Sequence, residues 1–449
     1  MLIIITVIGV LSGKSVKSAV DFNSGGRNTG AEIVMGSIIG TLVGGASTIG
    51  TSQLAFNYGF SAWWFTLGGG LGSLALALFS KSLYSSGVTT MPQILAKEYG
   101  QKASTAATLL TSMGSFLSIV SQFLSGIILI TTVSYLGAFS ATAAVLILML
   151  IYVIFGGVWG AGYVGIAKTI LLYLSVGVCG LMALYMQGGM TSFMAILPAD
   201  RYFNLFARGI VLDLSSGVSL ILGMLTTQAY IQAVISARTL RLSRIGVLAS
   251  AVLIPIVGFG GILVGMYMKI HHPEINPGSA LPQFILQYVP PLAGGGVMAA
   301  LLVAVVGTGA GISLGLGSMI YNDIYRVYIN KNSDEASGLL VTRLSIVMIL
   351  LCAAIFSSGN LGTLILQWSF LSMGLRGAVA FGPLCTALFL KNRIPGSFAL
   401  ASMIAGPAVV LFCTLYPLGD IDPFLAGVSA NLAILGAGFV YNNLFKRLA

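Results

Sequence analysis

Residues 31–56, AEIVMGSIIGTLVGGASTIGTSQLAF, form the stretch that most constrains the fold. They are apolar and numerous enough to cross a bilayer, which takes about 20 residues as a helix. The centre of the stretch, residues 40–48, is rich in glycine and hydroxyl side chains. Glycine weakens a helix, and a helix broken inside lipid leaves carbonyl groups unpaired unless they face protein, a cavity or a bound solute. We therefore predict a break near Gly44 that forms half of a binding site at the membrane midplane.

Composition indicates that the whole chain lies in a membrane. Only 7% of its 449 residues are charged, against about 25% in a soluble domain, and the mean hydropathy is +0.99. With about 20 residues per crossing and short loops, about thirteen helices fit. The net charge of +10 is explained by the preference of Lys and Arg for cytoplasmic loops, without a nucleic-acid partner. The predicted spans are 1–13, 31–56, 61–80, 104–133, 140–158, 162–185, 212–236, 245–268, 290–320, 337–358, 361–389, 396–416 and 424–444.

Basic residues concentrate in alternate loops between these spans. Lys14, Lys97 and Arg241 lie in loops on one side, whereas the opposite loops carry few basic residues. This asymmetry predicts a multi-pass protein of the plasma membrane with its N-terminus outside and its C-terminus in the cytoplasm. Two loops are expected to hold short helices, one at 90–95 with a proline near its first turn and one at 282–286.

Few residues could carry enzyme or metal chemistry. The four cysteines lie in apolar segments without CxxC spacing, which argues against disulfides and metal sites. The two histidines, His271 and His272, are adjacent, a spacing unsuited to a metal, and they are too few for a Ser/His/Asp or Cys/His site. The first segment, MLIIITVIGVLS, lacks the basic residues and cleavage site of a signal peptide. We expect neither an enzyme nor a protein with an obligate protein partner.

Five blocks of the sequence resemble the sodium:solute symporter family. They are GGASTIGTSQLAFNYGFSAWWF (44–65), TMPQILAKEYG (90–100), GGVWGAGY (156–163), TTQAYIQAVISAR (226–238) and the Asp-Ile-Tyr at 323–325. The resemblance implies an all-α membrane protein of the LeuT type, in the APC superfamily, with two five-helix repeats of opposite topology. The expected domains are an N-terminal extra helix and loop (1–30), the first inverted repeat (31–185), an extracellular loop (186–211), the second inverted repeat (212–389) and C-terminal extra helices (390–449).

The same resemblance implies a sodium site between the two repeats. Its ligands would be the carbonyls of Gly40 and Val43 in the first broken helix, with Ala304 and the Thr308 hydroxyl in the eighth helix of the fold. Carbonyl and hydroxyl oxygens at a helix break suit Na⁺. The chain departs from the family pattern where a second hydroxyl or an aspartate is common. The residues at those positions are Gly307, Gly165, Leu42 and Thr227.

Lys168 is a charged residue in a place where a membrane helix rarely has one. It lies less than two turns inside the predicted cytoplasmic end of its span, so its long stem could carry the amine to the interface. The alternative is that the amine occupies or borders the sodium site, as in proton-coupled carriers of a similar fold. A lysine held out of water releases its proton more readily, so it could bind and lose a proton during a transport cycle.

Arg376 lies about fifteen residues into a span of roughly thirty, close to the bilayer centre. By the span assignment no acidic residue shares that depth, so an anionic solute could supply the missing charge through a bidentate contact. The alternative is a structural arginine that bonds carbonyls at a helix break. The other predicted substrate-binding residues are uncharged: Ser47, Thr48, Gln53, Gln122, Gln228 and Gln367.

The sequence thus predicts a secondary active symporter that imports a small organic solute, with a carboxylate group, by alternating access. The coupling ion would be Na⁺, or a proton if Lys168 has replaced the sodium ion, and no other cofactor is expected. A membrane-embedded ligand sensor on the same scaffold is a second alternative. A passive channel is disfavoured because no ring of charges or filter repeat is present. The solute and the lipid bilayer are the expected partners.

Overall fold

A computed structural model describes residues 27–134, 136–416, 419 and 421–446. Within those residues the regular structure is helical, apart from an isolated β-bridge between Thr29 and Ala237. The predicted span at 1–13 lies outside them. The α-helices are α1 (Ala31–Leu42), α2 (Thr51–Tyr58), α3 (Trp64–Ser85), α4 (Met91–Tyr99), α5 (Gln101–Val133), α6 (Ala138–Gln187), α7 (Met190–Ile196), α8 (Ala199–Tyr202), α9 (Ile210–Thr226), α10 (Gln228–Ser236), α11 (Leu240–His271), α12 (Ala280–Tyr288), α13 (Pro291–Met319), α14 (Glu335–Ser358), α15 (Ile365–Phe389), α16 (Gly396–Leu415) and α17 (Pro423–Lys446).

Nine helical segments of the described chain are long and apolar enough to span a membrane, or ten if α9 and α10 count as one broken span. Two shorter apolar segments, Ala31–Leu42 and Ala138–Val153, accompany them. Helix α6 covers both spans predicted between 140 and 185 and, at 50 residues, would extend about 75 Å if straight, more than twice the bilayer core. The two short loop helices are present as α4, with Pro92 in its first turn, and α12.

The first predicted break is confirmed. Helix α1 ends at Leu42, and Val43 takes an extended conformation with ψ 94°. The chain resumes as a π-helix at Ala46–Gly50, which leads into α2. Every residue from 36 to 56 is buried. The break therefore faces protein and not lipid, which satisfies the condition for unpaired carbonyls inside a membrane.

A second break separates α9 from α10. Thr227 is extended, with φ −85° and ψ 122°, and the two helices meet at an angle of 49°. The first residues before α1 pair with the end of α10, because the Thr29 amide donates to the Ser236 carbonyl at 3.1 Å. The start of α1 and the end of α10 are thus joined by backbone hydrogen bonds.

The remaining helices surround these two broken ones. Helix α13 packs between α5 and α6, and its apolar stretch is 83% buried. Helices α14, α16 and α17 lie at the periphery, with 28–33% of their apolar stretches buried. Large apolar side chains on the outside, such as Phe139 at 84% and Ile355 at 76% exposed, suit contact with lipid tails.

Gly165 sets the spacing between α6 and α1. A Cβ atom at this position would lie 2.1 Å from the Gly36 carbonyl oxygen, so only glycine allows the two backbones to approach so closely. This contact also explains why an aspartate is absent there. Lys168 follows one turn later on α6, and the close approach brings it within reach of Gly40 on α1.

We predict that Gly165→Ala destabilises the protein by about 1–3 kcal/mol, because the added methyl group forces the two backbones apart. Thermal unfolding of the purified protein measures the effect. Gly177→Ala, in the same helix with no atom within 4 Å of the added group, is the matched control and should leave stability unchanged or slightly raised. Equal melting temperatures for the two variants would contradict the packing argument.

Candidate functional site

Three oxygen atoms come together where α1 ends. The Thr308 hydroxyl lies 3.1 Å from the carbonyl oxygen of Gly40 and 3.3 Å from that of Val43. The two carbonyls are free of helical partners because the chain leaves the helix after Leu42. Ala304, the fourth predicted ligand, is buried one turn before Thr308 on the same face of α13. We call the group of Gly40 O, Val43 O and Thr308 Oγ1 the oxygen cluster.

The Lys168 amine occupies the oxygen cluster. Its Nζ donates to the Gly40 carbonyl at 2.5 Å and to the Thr308 hydroxyl at 2.5 Å. Lys168 is 2% exposed, so its stem does not carry the charge to the membrane interface. An ammonium group and a sodium ion both carry one positive charge and both need several oxygen neighbours. The side chain thus stands where the resemblance places the ion.

Gly307 provides the space for this lysine. A Cβ atom there would lie 3.6 Å from Cδ of Lys168 and 3.3 Å from the hydroxyl of Tyr152. A serine hydroxyl, which the family pattern favours at this position, would have to share that space. The missing hydroxyl and the buried lysine are therefore two parts of one local arrangement.

The break itself is held between α5 and α13. A Cβ atom at Gly44 would lie 2.4 Å from the Thr308 hydroxyl and 2.6 Å from Oε1 of Gln122. Gln122 accepts a hydrogen bond from the freed Gly45 amide at 2.9 Å. Its side chain thus replaces a helical carbonyl as the partner of that amide, which would otherwise be buried and unpaired.

Ser47 and Thr48 also form hydrogen bonds to the backbone at the break. Both hydroxyls donate to the carbonyl of Gly44, at 3.0 Å and 2.8 Å. In this arrangement they stabilise the backbone of the π-helix. A solute acceptor such as a carboxylate oxygen could receive a hydrogen bond from them only if one of those bonds breaks, whereas a solute donor could still bond their lone pairs.

A second buried cation lies at the other break. Arg376 is 1% exposed, and its NH1 group donates to the Thr227 hydroxyl at 2.8 Å. Its NH2 group donates to Ser118 at 3.0 Å and to Ser372 at 2.8 Å. Its Nε donates to the Ser372 carbonyl at 3.1 Å, and NH2 also contacts the Met373 sulfur at 3.3 Å. Ion pairs in the described part of the chain join Arg208 to Asp213 and His272 to Glu274, so Arg376 has neutral partners there and no carboxylate.

The amide side chains of Gln53 and Gln228 each bind the start of another helix. Gln53 accepts from the Ile365 amide at 2.9 Å, at the first residue of α15. Gln228 accepts from the Met91 amide at 2.8 Å and donates to the Thr89 carbonyl at 3.1 Å, which fixes the start of α4. Amide oxygens thus satisfy first-turn N–H groups that have no partner within their own helix.

Gln367 is exposed, and within the described part of the chain its side chain forms no hydrogen bond with another predicted site residue. It lies in the first turn of α15, where Ile365 and Leu366 are buried, so Gln367 is on the opposite, outward side of that turn. The predicted site residues thus lie in four places. Some surround the oxygen cluster, others surround Arg376, Gln53 and Gln228 bind helix starts, and Gln367 is exposed.

Two polar contacts were not singled out from the sequence. Ser372 bonds both Arg376 and Ser118, and its spacing of four residues before Arg376 on one helix face is the signal that could have revealed it. Asp323 is 1% exposed and accepts from the Thr90 hydroxyl at 2.9 Å. That contact joins two separate motifs of the sequence, and no local pattern could have paired them.

The model of the sodium:solute symporter family matches residues 22–406. The human sodium/iodide cotransporter is 22% identical over 447 residues, which cover 93% of this chain and 69% of that protein.

Two solved structures share the fold. A substrate-bound, outward-open Na⁺-coupled sialic acid symporter matches with a TM-score of 0.82 and 19% identity, over 99% of this chain and 96% of that one. A nucleobase-cation-symport-1 family transporter, closed with bromovinylhydantoin bound, matches with a TM-score of 0.59 and 12% identity, over 94% of each chain. The all-α LeuT-type fold inferred from the sequence is confirmed by this likeness.

Proposed function

This chain belongs to the sodium:solute symporter family, a family of membrane transporters and not of enzymes, and we propose that it imports a small carboxylate-bearing solute together with a proton held on Lys168. The observation that carries the proposal is the Lys168 amine in hydrogen-bond contact with Gly40 and Thr308. We place the import pathway between the repeats 31–185 and 212–389, with the N-terminus outside and the C-terminus in the cytoplasm.

Membership of the sodium:solute symporter family implies Na⁺ as the coupling ion, and the oxygen cluster has the ligand chemistry for that ion. The lysine supports a different coupling ion in this chain, since Nζ and Na⁺ would compete for the same oxygens. Protonated Lys168 donates to the Gly40 carbonyl and to the Thr308 hydroxyl, which lies 3.3 Å from the Val43 carbonyl. When it loses its proton, its attraction to them weakens and the inner half of the broken helix is released. A proton can then perform the task of the sodium ion without a separate binding site.

Uptake by reconstituted protein tests the coupling ion. A thermal-shift screen of carboxylates, with and without Na⁺, first identifies a stabilising solute. Proteoliposomes should then accumulate that solute when the outside is acidic, and replacement of Na⁺ by choline should leave uptake unchanged. In Lys168→Gln, accumulation driven by the proton gradient should be lost while solute exchange at equal concentrations persists.

The exposed Lys102→Gln variant is the control for these measurements and should behave as the wild type. Strict dependence of wild-type uptake on Na⁺ would contradict the proposed role of Lys168. The oxygen cluster would in that case take up Na⁺ after the lysine side chain has moved away, and the chain would be an ordinary sodium symporter.

Arg376 supports the choice of a carboxylate as the substrate group. A cation inside a membrane is costly unless it is paired, and the hydroxyls of Thr227, Ser118 and Ser372 bring no negative charge. A guanidinium binds a carboxylate through two parallel hydrogen bonds, so a bound solute would supply the missing charge. Arg376 also lies against the second helix break, where binding could change the angle between α9 and α10.

We predict that Arg376→Gln weakens binding of the carboxylate solute by at least about tenfold, because a hydrogen bond to a charged group contributes about 1.5–3 kcal/mol. Titration of the purified protein, followed by its thermal shift, measures this affinity. Arg376→Lys should recover part of the loss, since it restores the charge but not the paired geometry. An amide analogue of the solute should lose less affinity in Arg376→Gln, because a neutral acceptor gains only about 0.5–1.5 kcal/mol from a hydrogen bond. Unchanged affinity for the carboxylate in Arg376→Gln would contradict the assignment.

A further inference from the structure

A cavity of about 560 Å³ lies where the end of α3, the helix α4 and the end of α15 meet. Its lining includes three lysines and three serines from these elements and the loops beside them: Lys81, Lys97, Lys391, Ser82, Ser85 and Ser86. The cavity is separate from the oxygen cluster and from Arg376. Nothing in the proposed transport reaction uses it.

The lysines give this cavity a net positive charge. Glu98 is the acidic residue among its lining side chains, and its carboxylate already accepts a hydrogen bond from the Asn392 backbone amide. None of the three lysines belongs to the ion pairs found in the described part of the chain. Lys97 donates to the Ser86 carbonyl at 2.8 Å, which holds its ammonium at the cavity without neutralising it.

Apolar surface adjoins the charged lining. Ile94 and Leu388 line the cavity itself, and Phe389, directly after Leu388, is 54% exposed. Leu78 is 75% exposed and lies one turn before Lys81 on the same face of α3. The ring of Phe79 packs edge-on against that of Phe389 at 5.0 Å, which joins the ends of the two membrane helices. The lysines thus lie at the end of the lipid-facing surface, where headgroups meet acyl chains.

We infer that this cavity binds the phosphate group of an anionic phospholipid. The three ammonium groups provide the donors for phosphate oxygens, since the hydroxyls of Ser85 and Ser86 already donate to the Lys81 and Leu83 carbonyls. Clustered basic residues between membrane helices select anionic headgroups. The adjacent apolar surface of Leu78 and Phe389 accommodates the acyl chains. A free phosphate anion has the same charged group but no acyl chains to contact that apolar surface. A phospholipid should therefore bind more tightly than inorganic phosphate, and this difference in affinity distinguishes the two ligands.

Lipid binding to the purified full chain tests the inference. In neutral detergent, dioleoylphosphatidylglycerol should raise the melting temperature in a saturable way, and dioleoylphosphatidylcholine should not. The variant Lys81→Gln/Lys97→Gln/Lys391→Gln should bind phosphatidylglycerol at least about tenfold more weakly, because each lysine near an anionic headgroup contributes to the affinity. Its melting temperature without lipid reports whether the variant is folded.

A variant with the same loss of charge elsewhere is the control. Lys102→Gln/Arg241→Gln/Lys331→Gln removes three exposed basic residues outside the cavity and should retain the wild-type affinity. Equal losses in the two variants, or no response to phosphatidylglycerol, would overturn the site. A lysine-dependent shift of the same size with inorganic phosphate alone would overturn the lipid as its source.

Discussion

The contact of the Lys168 amine with the Gly40 carbonyl, freed at the first helix break, and with the Thr308 hydroxyl is the interaction on which the proposed mechanism depends. A break inside a membrane leaves oxygen atoms that need a cation or a donor. Here Gly40 and Thr308 receive that donor from the protein itself. Gly165 allows the close approach of the two helices, and Gly307 leaves space for the lysine stem. The departures from the family pattern at these two glycines thus have a common physical cause.

Among the described residues, the buried basic side chains Lys168 and Arg376 have partners that carry no full negative charge. Lys168 can lose its proton and so avoid the cost of a buried charge, whereas a guanidinium keeps its proton under ordinary conditions. The proposed carboxylate solute would balance Arg376, and the proton would travel on Lys168. Lys168 lies at the first helix break and Arg376 at the second. A proton on Lys168 or a solute at Arg376 would therefore bind at a position where a membrane helix can bend. This placement links ligand chemistry to the helix movements that alternating access requires.

Much of the fold could be predicted from the sequence, and less of the site. Long apolar runs and the glycines near Gly44 carry a direct physical signal for spans and for a break, and both are present in the structure. The contacts of Gln53 and Gln228 could not be foreseen, because an amide suits a solute and a helix start equally well. Gln367 is exposed while Ile365 and Leu366 beside it are buried, so its position depends on which face of α15 packs against the bundle, and an assignment of helix bounds does not give that face. Contacts between residues far apart in the sequence, such as Gln53 with Ile365 and Gln228 with Met91, determine where these side chains lie.

Direct measurement of sodium binding tests the central claim most closely. The measurement is equilibrium binding of radioactive sodium to the purified protein at neutral pH, which shows whether Na⁺ can bind at the oxygen cluster. Our account predicts no saturable binding by the wild type, since the Lys168 ammonium holds the same oxygens as the ion would. Saturable binding by the wild type that Thr308→Ala abolishes would contradict it.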